Sequence, residues 1–270
     1  MDKIILTREK ETLLIPLYGK AKETQKASPI LVDTKAVEII SQIDYDFSSL
    51  KIPEKTNILM CLRAKLIDNF TKDFLSGHRD SVALHLGCGL DSRYHRIQNS
   101  NVDWYDVDFK EVMEIRKLFF EETNKYHLVS SSVTEDEWIE KVPEGKGHNL
   151  VIAEGLFMYL KEDDIKNLLR KLKHRLGCYT LIFDAFNVFT AKKAGNHPSI
   201  KKTSAVIQWG IDHPEELERW GREIKFLNEL YFTANKEVEN LNFGMKVMYG
   251  IANLFPFVKK AQRLLIYKVC

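Results

Sequence analysis

The stretch SVALHLGCGLDSRYHRI, residues 81–97, runs from an apolar segment through two closely spaced glycines into a polar segment that contains arginine. Glycine permits a tight turn and a close approach of the backbone to a neighbouring group. A helix that begins just beyond the turn would direct unpaired backbone N–H groups toward that neighbour. The stretch therefore predicts a buried strand followed by a ligand-binding turn at Gly87 and Gly89. A plain strand-to-helix turn is the alternative.

The segments that follow alternate between strand-like and helical patterns. The further strand candidates are VDWYDV, YHLVSS, NLVIAEG, YTLIFDAF, IKFLNELYF and RLLIYKV, and the helical segments include KEVMEIRKLFFEET and EDDIKNLLRKLKHRL. Strands that alternate with helices form parallel βαβ units with right-handed crossovers. The pattern therefore predicts an α/β fold with a doubly wound sheet.

The chain divides into two predicted parts. In the first part, KAVEIISQI and ILMCLRAKLIDNFTKDFL carry apolar residues at helical spacing, which predicts a helical cap over residues 1–78. Residues 79–270 form the predicted core, and the Gly-, Pro- and His-containing residues 187–222 are expected to be an insertion of loop and short helix within it. The stretch NFGMKVMYGIANLFPF fits the core or cap, a substrate pocket, or both.

Composition excludes several classes of partner. The chain has 270 residues with 40 Lys and Arg against 38 Asp and Glu, a net charge of +2. This balance gives no electrostatic case for nucleic acid or an anionic membrane as partner. The N-terminus lacks the apolar core of a signal peptide, and no apolar run approaches the roughly 20 residues of a membrane span. We expect a cytoplasmic protein that binds a small molecule, and the oligomeric state stays open.

The cysteines are spaced widely along the chain. Cys61, Cys88, Cys178 and Cys270 include no C-x-x-C pair. This spacing argues against a zinc site and against a disulfide scaffold. The sequence therefore predicts reduced cysteines and no metal site.

Acidic residues end the second predicted strand, VDWYDVDF. They follow the glycine turn by about 20 residues, the spacing at which a carboxylate accepts hydrogen bonds from both hydroxyls of a ribose. Asp106 and Asp108 share a face, and Asp108 is nearer the end of the strand. Asp108 is therefore the predicted ribose ligand. It also fits the N-cap of the helix that begins at KEVMEI, a role compatible with ribose binding.

The turn also indicates which nucleoside cofactor it would hold. A dinucleotide fingerprint needs a third glycine that packs the helix against the strand near the pyrophosphate. Ser92 occupies that position here. The sequence thus disfavours a nicotinamide dinucleotide and favours a nucleoside without a pyrophosphate, of which S-adenosylmethionine is the usual one.

Four segments in order resemble the leucine carboxyl methyltransferase family, and most closely its bacterial branch of tetracenomycin-type polyketide O-methyltransferases. They are ETLLIPLYGKAKET…SPILVDTKAVEI, HLGCGLDSR, YDVDFKEVMEIR and AEGLFMYL. The resemblance implies a class I methyltransferase fold, with a seven-stranded Rossmann-like sheet and a helical cap, that binds S-adenosylmethionine. It further implies methyl transfer to a hydroxyl or carboxyl group of a small molecule, with a protein C-terminal carboxylate as a second acceptor. A non-catalytic nucleoside-binding protein with the same fold is the alternative.

The resemblance also implies residues that bind the methionine part of the cofactor. Arg63 is similar to the family's cap arginine, whose guanidinium grips the methionine carboxylate. Glu154 matches the family's acidic residue near the amino group, where a cationic ligand would offset the cost of burying a carboxylate. Lys20 is a second basic candidate from the cap. The alternatives are a surface arginine, an internal salt bridge and a solvated lysine.

The adenine site departs from the family pattern. The family has an aspartate after the third strand, and Ser132 stands at that position. Either the serine hydroxyl replaces the carboxylate, or backbone and apolar contacts at Val133 hold the base.

The acceptor pocket is less clearly marked. A carboxylate acceptor needs no base, whereas a hydroxyl acceptor benefits from one. Tyr159 and His213 are the candidate catalytic side chains, and His197 and Trp209 are further candidates for the wall of the pocket. Ordinary packing or a surface position is the favoured interpretation for each of the four.

Overall fold

The computed structural model describes residues 11–99, 101–145, 147–194 and 206–270. Seven strands form one sheet in the order β3-β2-β1-β4-β5-β7-β6. The strands are β1 Val82–Leu86, β2 Asp103–Asp108, β3 Tyr126–Ser130, β4 Asn149–Ala153, β5 Tyr179–Phe186, β6 Ile224–Tyr231 and β7 Gln262–Val269. The first five strands pair in parallel, and β7 lies antiparallel between β5 and β6. The predicted doubly wound α/β sheet is confirmed.

The helices flank this sheet. The α-helices are α1 Glu11–Thr24, α2 Thr34–Gln42, α3 Glu54–Gly77, α4 Arg93–Ile97, α5 Lys110–Arg116, α6 Glu162–Leu176, α7 Val188–Ala194, α8 Phe243–Asn253 and α9 Pro256–Lys259. Short 3₁₀ helices span Phe47–Leu50, Ile139–Lys141, Phe157–Tyr159, Pro214–Trp220 and Lys236–Asn240. Helices α1 to α3 precede the sheet, and α7 to α9 belong to the part of the chain that follows β5.

The apolar core fills both faces of the sheet. On one face, Leu17 of α1 and Ile67 of α3 pack in the same cluster as Trp104 of β2. On the other face, Leu172 of α6 belongs to a cluster with Phe183 of β5. Every residue of β1 and β4 is buried, as expected for central parallel strands with both faces covered. The N-terminal helices therefore share one core with the sheet.

The order of the strands reverses between β1 and β4, which are neighbours in the sheet. The crossovers from these two strands leave in opposite directions, and ligands of doubly wound sheets bind in the crevice that opens there, beyond the carboxyl ends of the strands. The glycine turn follows β1, and Glu154 follows β4. The topology therefore places both predicted features at this crevice.

The helix after the glycine turn, α4, has five residues. The next helix is shorter than the sequence predicts. The segment KEVMEIRKLFFEET is helical only as far as Arg116, and the following residues make hydrogen-bonded turns. Thr123 then donates its N–H to the carbonyl of Tyr126 at 2.9 Å, which directs the chain into β3. The chain therefore leaves the helix within the segment that was predicted to be helical and reaches β3 through turns.

Cys178 and Cys270 form a disulfide. The prediction that the cysteines stay unpaired is wrong for this pair. In the antiparallel pairing of β5 with β7, Tyr179 lies opposite Val269, so the residues just outside that register face each other with Cα atoms 4.3 Å apart. Cys61 and Cys88 are buried free thiols.

Within the described ranges, no helix is both long enough and apolar enough to cross a membrane. The same residues contain no group of three or more His, Cys, Asp or Glu side chains that could hold a metal ion.

Candidate active site

The glycine turn has a backbone that only glycine adopts easily. Gly87 and Gly89 have φ angles of 62° and 52°, both in the left-handed region. A Cβ atom on Gly87 would lie 3.0 Å from Cδ1 of Leu156, which is a close contact. The N–H of Gly87 donates to the carbonyl of Val107 at 2.8 Å, so the turn stays attached to the end of β2. Both the left-handed backbone and the lack of space for a Cβ atom therefore favour glycine at position 87.

Asp108 is tied directly to this turn. Its Oδ2 accepts from the N–H of Gly89 at 2.7 Å, and its Oδ1 accepts from the N–H of Phe109 at 2.8 Å. Helix α5 takes Phe109 as its N-cap without a side-chain hydrogen bond, so Asp108 does not cap the helix. Burial raises the pKa of Asp108 above its usual value. Among the described residues, no basic side chain forms an ion pair with it.

Asp106 has a different role from Asp108. Its carboxylate is fully buried and accepts hydrogen bonds from Arg116, from the hydroxyl of Tyr126 and from Nε1 of Trp104. Burial alone would raise the pKa of Asp106, but the Arg116 guanidinium lowers it to about 2. These internal partners occupy Asp106, so of the two acidic residues only Asp108 bonds the glycine turn.

A second group of charged side chains lies in the interior and is called here the charged cluster. It joins the N-terminal helices to the ends of β1, β4 and β5, and its members have side chains no more than 14% exposed. The members are Lys20, Asp33, Arg63, Asp68, Asp91, Arg93, Arg96, Glu154 and Asp184. The structure thus brings three predicted residues, Lys20, Arg63 and Glu154, into one network.

Arg63 reaches from the cap helix α3 into the crevice. Its Nε donates to Oε1 of Glu154 at 2.9 Å, and its Nη1 donates to Oδ2 of Asp184 at 2.9 Å. Asp184 also accepts from the N–H of Gly155 at 2.5 Å and from Nε2 of Gln262 at 3.0 Å. Nη2 of Arg63 has no hydrogen-bond partner in the described part of the chain. The interpretation of Arg63 as a surface arginine is therefore wrong.

Glu154 is held between two guanidinium groups. Its Oε1 accepts from Arg63, and its Oε2 accepts from Nη2 of Arg93. Burial alone would raise the pKa of Glu154, but Arg63 and Arg93 hold it well below its usual range. The internal salt bridge that the sequence left as an alternative is present. Glu154 is consequently ionised without any ligand.

Asp91 is the centre of the rest of the cluster. It binds Lys20 at 2.8 Å and Arg96 at 2.6 Å through Oδ1. Lys20 is only 3% exposed, so the interpretation of a solvated lysine is wrong. Ser92 donates to Oδ1 of Asp33 at 2.5 Å, which attaches the loop before α2 to the glycine turn. Ser92, in place of the third glycine, therefore acts as a link to the cap.

The charged cluster contains five carboxylates against four basic groups. Its neighbour His85 lies between two charged groups, with Nε2 at 3.1 Å from Nη1 of Arg93 and Nδ1 at 3.3 Å from Oδ1 of Asp106. The cluster therefore carries one negative charge in excess, which suits a ligand with a positive charge.

Sequence reasoning missed several members of this cluster. A signal was available for Asp184 and for His85, because each interrupts an otherwise apolar strand and a buried polar group needs a partner. Asp91 and Arg93 lie in the stretch that decided the fold, but no role was predicted for them. Asp68 is one polar residue among several on helix α3, and its spacing gives no signal.

The predicted adenine residues lie just after β3. The N–H of Ser131 donates to the carbonyl of Asp108 at 2.9 Å, so this segment adjoins the end of β2. Ser132 is partly exposed and its hydroxyl lies 2.8 Å from that of Thr134. Val133 is buried. Both remain predictions for the adenine contact.

The candidates for the acceptor pocket separate into different environments. Tyr159 is partly buried, and burial raises the pKa of its phenol, with Arg63 and Asp184 close enough to act on it. Trp209 is a core residue that packs on Phe183. His213 is exposed and begins the 3₁₀ helix Pro214–Trp220, where its N–H donates to Glu216 at 2.8 Å. His197 lies outside the described residues. Of the candidates that the structure describes, Tyr159 alone is close to the charged cluster.

Comparison with known proteins gives the family. The sequence profile described as Leucine carboxyl methyltransferase matches residues 14–173. The chain belongs to the leucine carboxyl methyltransferase family. Two curated proteins are similar to it. Tetracenomycin polyketide synthesis O-methyltransferase TcmP of Streptomyces glaucescens is 34% identical over 98% of each chain, and S-adenosyl-L-methionine-dependent methyltransferase dpfgK of Gibberella zeae is 29% identical over 85% of this chain and 84% of the relative.

Solved structures support the fold of this family member. A DUF574 family protein from Streptomyces avermitilis aligns over 98% of this chain and 100% of its own, with a TM-score of 0.58 and 10% identity. Geranyl diphosphate methyltransferase, solved with GPP and sinefungin, aligns over 97% and 98% with a TM-score of 0.53 and 11% identity. At these identities the likeness shows the fold alone. This likeness confirms the predicted class I fold. The family match and the two curated relatives confirm that the protein is an S-adenosylmethionine-dependent methyltransferase.

Proposed function

We propose that this methyltransferase transfers a methyl group from S-adenosylmethionine to a hydroxyl or carboxyl oxygen of a small molecule. The observation that carries the proposal is that the two ends of one crevice offer complementary groups. Asp108 and the glycine turn lie at one end, and Arg63 with Glu154 lies at the other. The similarity to a polyketide O-methyltransferase over nearly the whole chain supports oxygen as the acceptor atom.

Asp108 fits the ribose of the cofactor. Each carboxylate oxygen of Asp108 accepts one hydrogen bond from a backbone N–H, which uses one lone pair. Its other lone pair can still accept a hydrogen bond from a hydroxyl. Burial without a basic partner leaves its charge poorly compensated, and hydrogen bonds from two hydroxyls would stabilise the ionised form. Gly87 and Gly89 allow the nucleoside to approach the backbone at this point.

The charged cluster fits the methionine part. Arg63 keeps its Nη2 donor groups for a carboxylate while its other nitrogens are fixed by Glu154 and Asp184. Glu154 is ionised, and the excess negative charge of the cluster complements an ammonium and a sulfonium. Lys20, which is bound to Asp91, would act as a positioning residue for the glycine turn. When bound, the sulfonium supplies the methyl group on a good leaving group, so the protein mainly has to align the acceptor.

Adenine would lie against the segment after β3. Val133 is buried and offers an apolar contact, and the hydroxyl of Ser132 offers a polar one. In this proposal residues 1–78 cap the cofactor and residues 187–222 lie on the acceptor side.

Among the described candidates for the acceptor side, Tyr159 is the suitable polar group. Because burial raises the pKa of its phenol, Tyr159 stays protonated at neutral pH. It would therefore donate a hydrogen bond to an acceptor oxygen and would not act as a general base. A carboxylate acceptor, or a phenol acidic enough to ionise by itself, suits such a site.

The net charge of +2 supports a small molecule as the partner and argues against a nucleic acid. A cytoplasmic location remains a prediction. The Cys178–Cys270 disulfide speaks against that location, because cytosolic thiols are kept reduced.

Ligand-induced stabilisation tests the cofactor. S-adenosylhomocysteine should raise Tm by an amount that grows with its concentration, whereas NADH should not, because only a ligand of the folded state stabilises it. Transfer of radiolabelled methyl groups to a panel of phenols and carboxylic acids then tests the acceptor. No shift at millimolar S-adenosylhomocysteine would contradict the proposed cofactor. Binding of S-adenosylhomocysteine with no transfer to any oxygen acceptor would contradict the proposed reaction.

A further inference from the structure

Helix α8 is apolar on both of its faces. Its sequence, FGMKVMYGIAN, contains one charged residue, Lys246. The inner face packs on the N-terminal helices, in a cluster that joins Met245, Met248 and Tyr249 with Ile58, Cys61 and Leu62. A helix that is apolar all round is normally covered on all sides. The outer face of α8 is nevertheless exposed.

We call this outer face and its continuation into α9 the apolar ridge. It consists of Phe243, Val247, Ile251, Leu254, Phe255, Phe257 and Val258, all exposed. The first four recur at helical spacing and so line one side of α8. Phe243 is 82% exposed and Leu254 is 76% exposed, so these side chains project from the surface. The ring of Phe189 on α7 lies 5.1 Å from that of Phe257 and extends the ridge toward the end of β5.

The segment that carries the apolar ridge contains basic residues and no acidic ones. Residues 240–270 contain no Asp or Glu, whereas they include Lys246, Lys259 and Lys260. Beside the extension of the ridge, Nζ of Lys193 lies 4.4 Å from the ring centre of Phe189. In a symmetric contact between two copies the same patch meets itself, so these lysines would meet a patch that is also basic. The net charge of the whole chain gives no case for an anionic membrane, but this local charge pattern favours an anionic surface over a second copy of the chain.

The shape of the ridge favours a lipid surface over a folded protein. Leu254, one of its two most exposed side chains, lies where α8 ends and α9 begins, and a protein partner would need a pocket complementary to this projection. The boundary of a bilayer accepts projecting Phe, Leu and Ile side chains of any shape, and flanking lysines add attraction to anionic headgroups. We propose that the apolar ridge docks this enzyme on the surface of membranes that contain anionic lipids. This docking is independent of the reaction that the enzyme catalyses.

Vesicle co-sedimentation tests the docking directly. The full chain should bind vesicles of phosphatidylcholine mixed with phosphatidylglycerol more tightly than vesicles of phosphatidylcholine alone. Changing Leu254→Ser together with Val258→Ser should weaken binding to the mixed vesicles at least about tenfold. The matched control is Leu118→Ser with Val32→Ser, which removes side chains that are 58% and 56% exposed outside the ridge and should change binding less than about twofold.

A second variant tests the lysines that flank the apolar ridge, and its result does not depend on whether the first variant folds. Lys246→Gln with Lys259→Gln should weaken binding to mixed vesicles by about twenty-five-fold, at roughly fivefold for each lysine, and leave binding to neutral vesicles nearly unchanged. No binding of the wild type to mixed vesicles would overturn the proposal, and so would equal losses in the ridge and control variants. A dimer in solution that the ridge variant dissociates would assign the ridge to self-association and overturn it as well.

Discussion

Asp108 and Glu154 lie at the carboxyl ends of two strands that flank β1, yet their surroundings shift their pKa values in opposite directions. The pKa of Asp108 is raised, because the side chain is buried and accepts only backbone N–H groups. Burial acts in the same direction on Glu154, but Arg63 and Arg93 lower its pKa well below the usual range. Burial alone therefore does not decide the charge of a carboxyl group at this crevice, and the partners do.

The difference separates the proposed methionine-binding end of the crevice, at Arg63 and Glu154, from the proposed ribose-binding end, at Asp108, by how each end is held. At the methionine end, side-chain ion pairs fix Arg63 and Glu154 before any ligand arrives, and a preorganised site loses little freedom on binding. At the ribose end, two backbone hydrogen bonds hold Asp108, and the ligand itself would complete its surroundings. Loss of a partner should therefore affect folding at the first end and ligand binding at the second.

The largest expected effect is on stability at the methionine end. Arg93 is fully buried and binds Asp68, Asp91 and Glu154. Arg93→Met should lower the free energy of unfolding by about 3–5 kcal/mol, because it leaves buried carboxylates without a partner. Urea unfolding of the ligand-free protein measures this loss.

Arg79 is exposed and provides the control, since Arg79→Met should change stability by no more than about 0.5 kcal/mol. A loss below about 1 kcal/mol for Arg93→Met, the range of surface ion pairs, would show that these pairs do not hold the methionine end together.

At the ribose end the expected effect is on binding. Asp108→Ala should weaken the binding of S-adenosylhomocysteine by about 1.5–3 kcal/mol, the range for hydrogen bonds to a charged group. Isothermal titration measures it, and Asp44→Ala, at an exposed position, is the control. Unchanged affinity in a folded Asp108→Ala protein would limit Asp108 to holding the glycine turn.

The strands were predictable from the sequence because their signal is local. An apolar run such as YTLIFDAF is complete within eight residues of chain, and β5 spans the whole of it. The family resemblance, which led to Arg63 and Glu154, and the acidic end of β2, which led to Asp108, are equally local signals. Where a short turn decides a boundary, as after Arg116, the helical pattern alone overestimates the length of the helix.

The partners of these residues were not predictable because they are distant in sequence. Arg63 and Asp184 are 121 residues apart, and Cys178 and Cys270 are 92 apart. Contacts of this kind depend on the register and order of strands, which no spacing in the chain reveals. The sequence accordingly led to the residues of the site but not to the network that sets their charge.

The dependence of stability on pH sharpens the comparison. A carboxyl group with a lowered pKa in the folded state stabilises the protein above its unfolded pKa, about 4.3 for Glu, and loses this contribution as pH falls through the folded value. Stability of the wild type should therefore fall between pH 6 and pH 3, and Glu154→Gln should make this fall smaller by at least about 1.4 kcal/mol, the equivalent of one pKa unit. Asp108, with its raised pKa, acts with the opposite sign.

Urea midpoints at several pH values measure this slope, and Glu121→Gln, at an exposed position, is the control. A slope that Glu154→Gln leaves unchanged would mean that Arg63 and Arg93 do not set the charge of Glu154.

The smallest expected effect tests whether Arg63 contacts the ligand in addition to its two protein partners. Arg63→Lys keeps the positive charge but loses the planar fork, so the variant can no longer hold Glu154, Asp184 and a ligand carboxylate through separate nitrogens. Decarboxylated S-adenosylmethionine lacks the group that Nη2 would bind. The wild type should prefer the intact cofactor, and Arg63→Lys should reduce that preference by about 1 kcal/mol, or roughly fivefold, as titrations of both proteins with both ligands would show. Such a cycle removes effects of the substitution that are common to both ligands. Equal preference in the two proteins would leave Arg63 with a structural role alone, and the methionine end would then differ from the ribose end in folding but not in recognition.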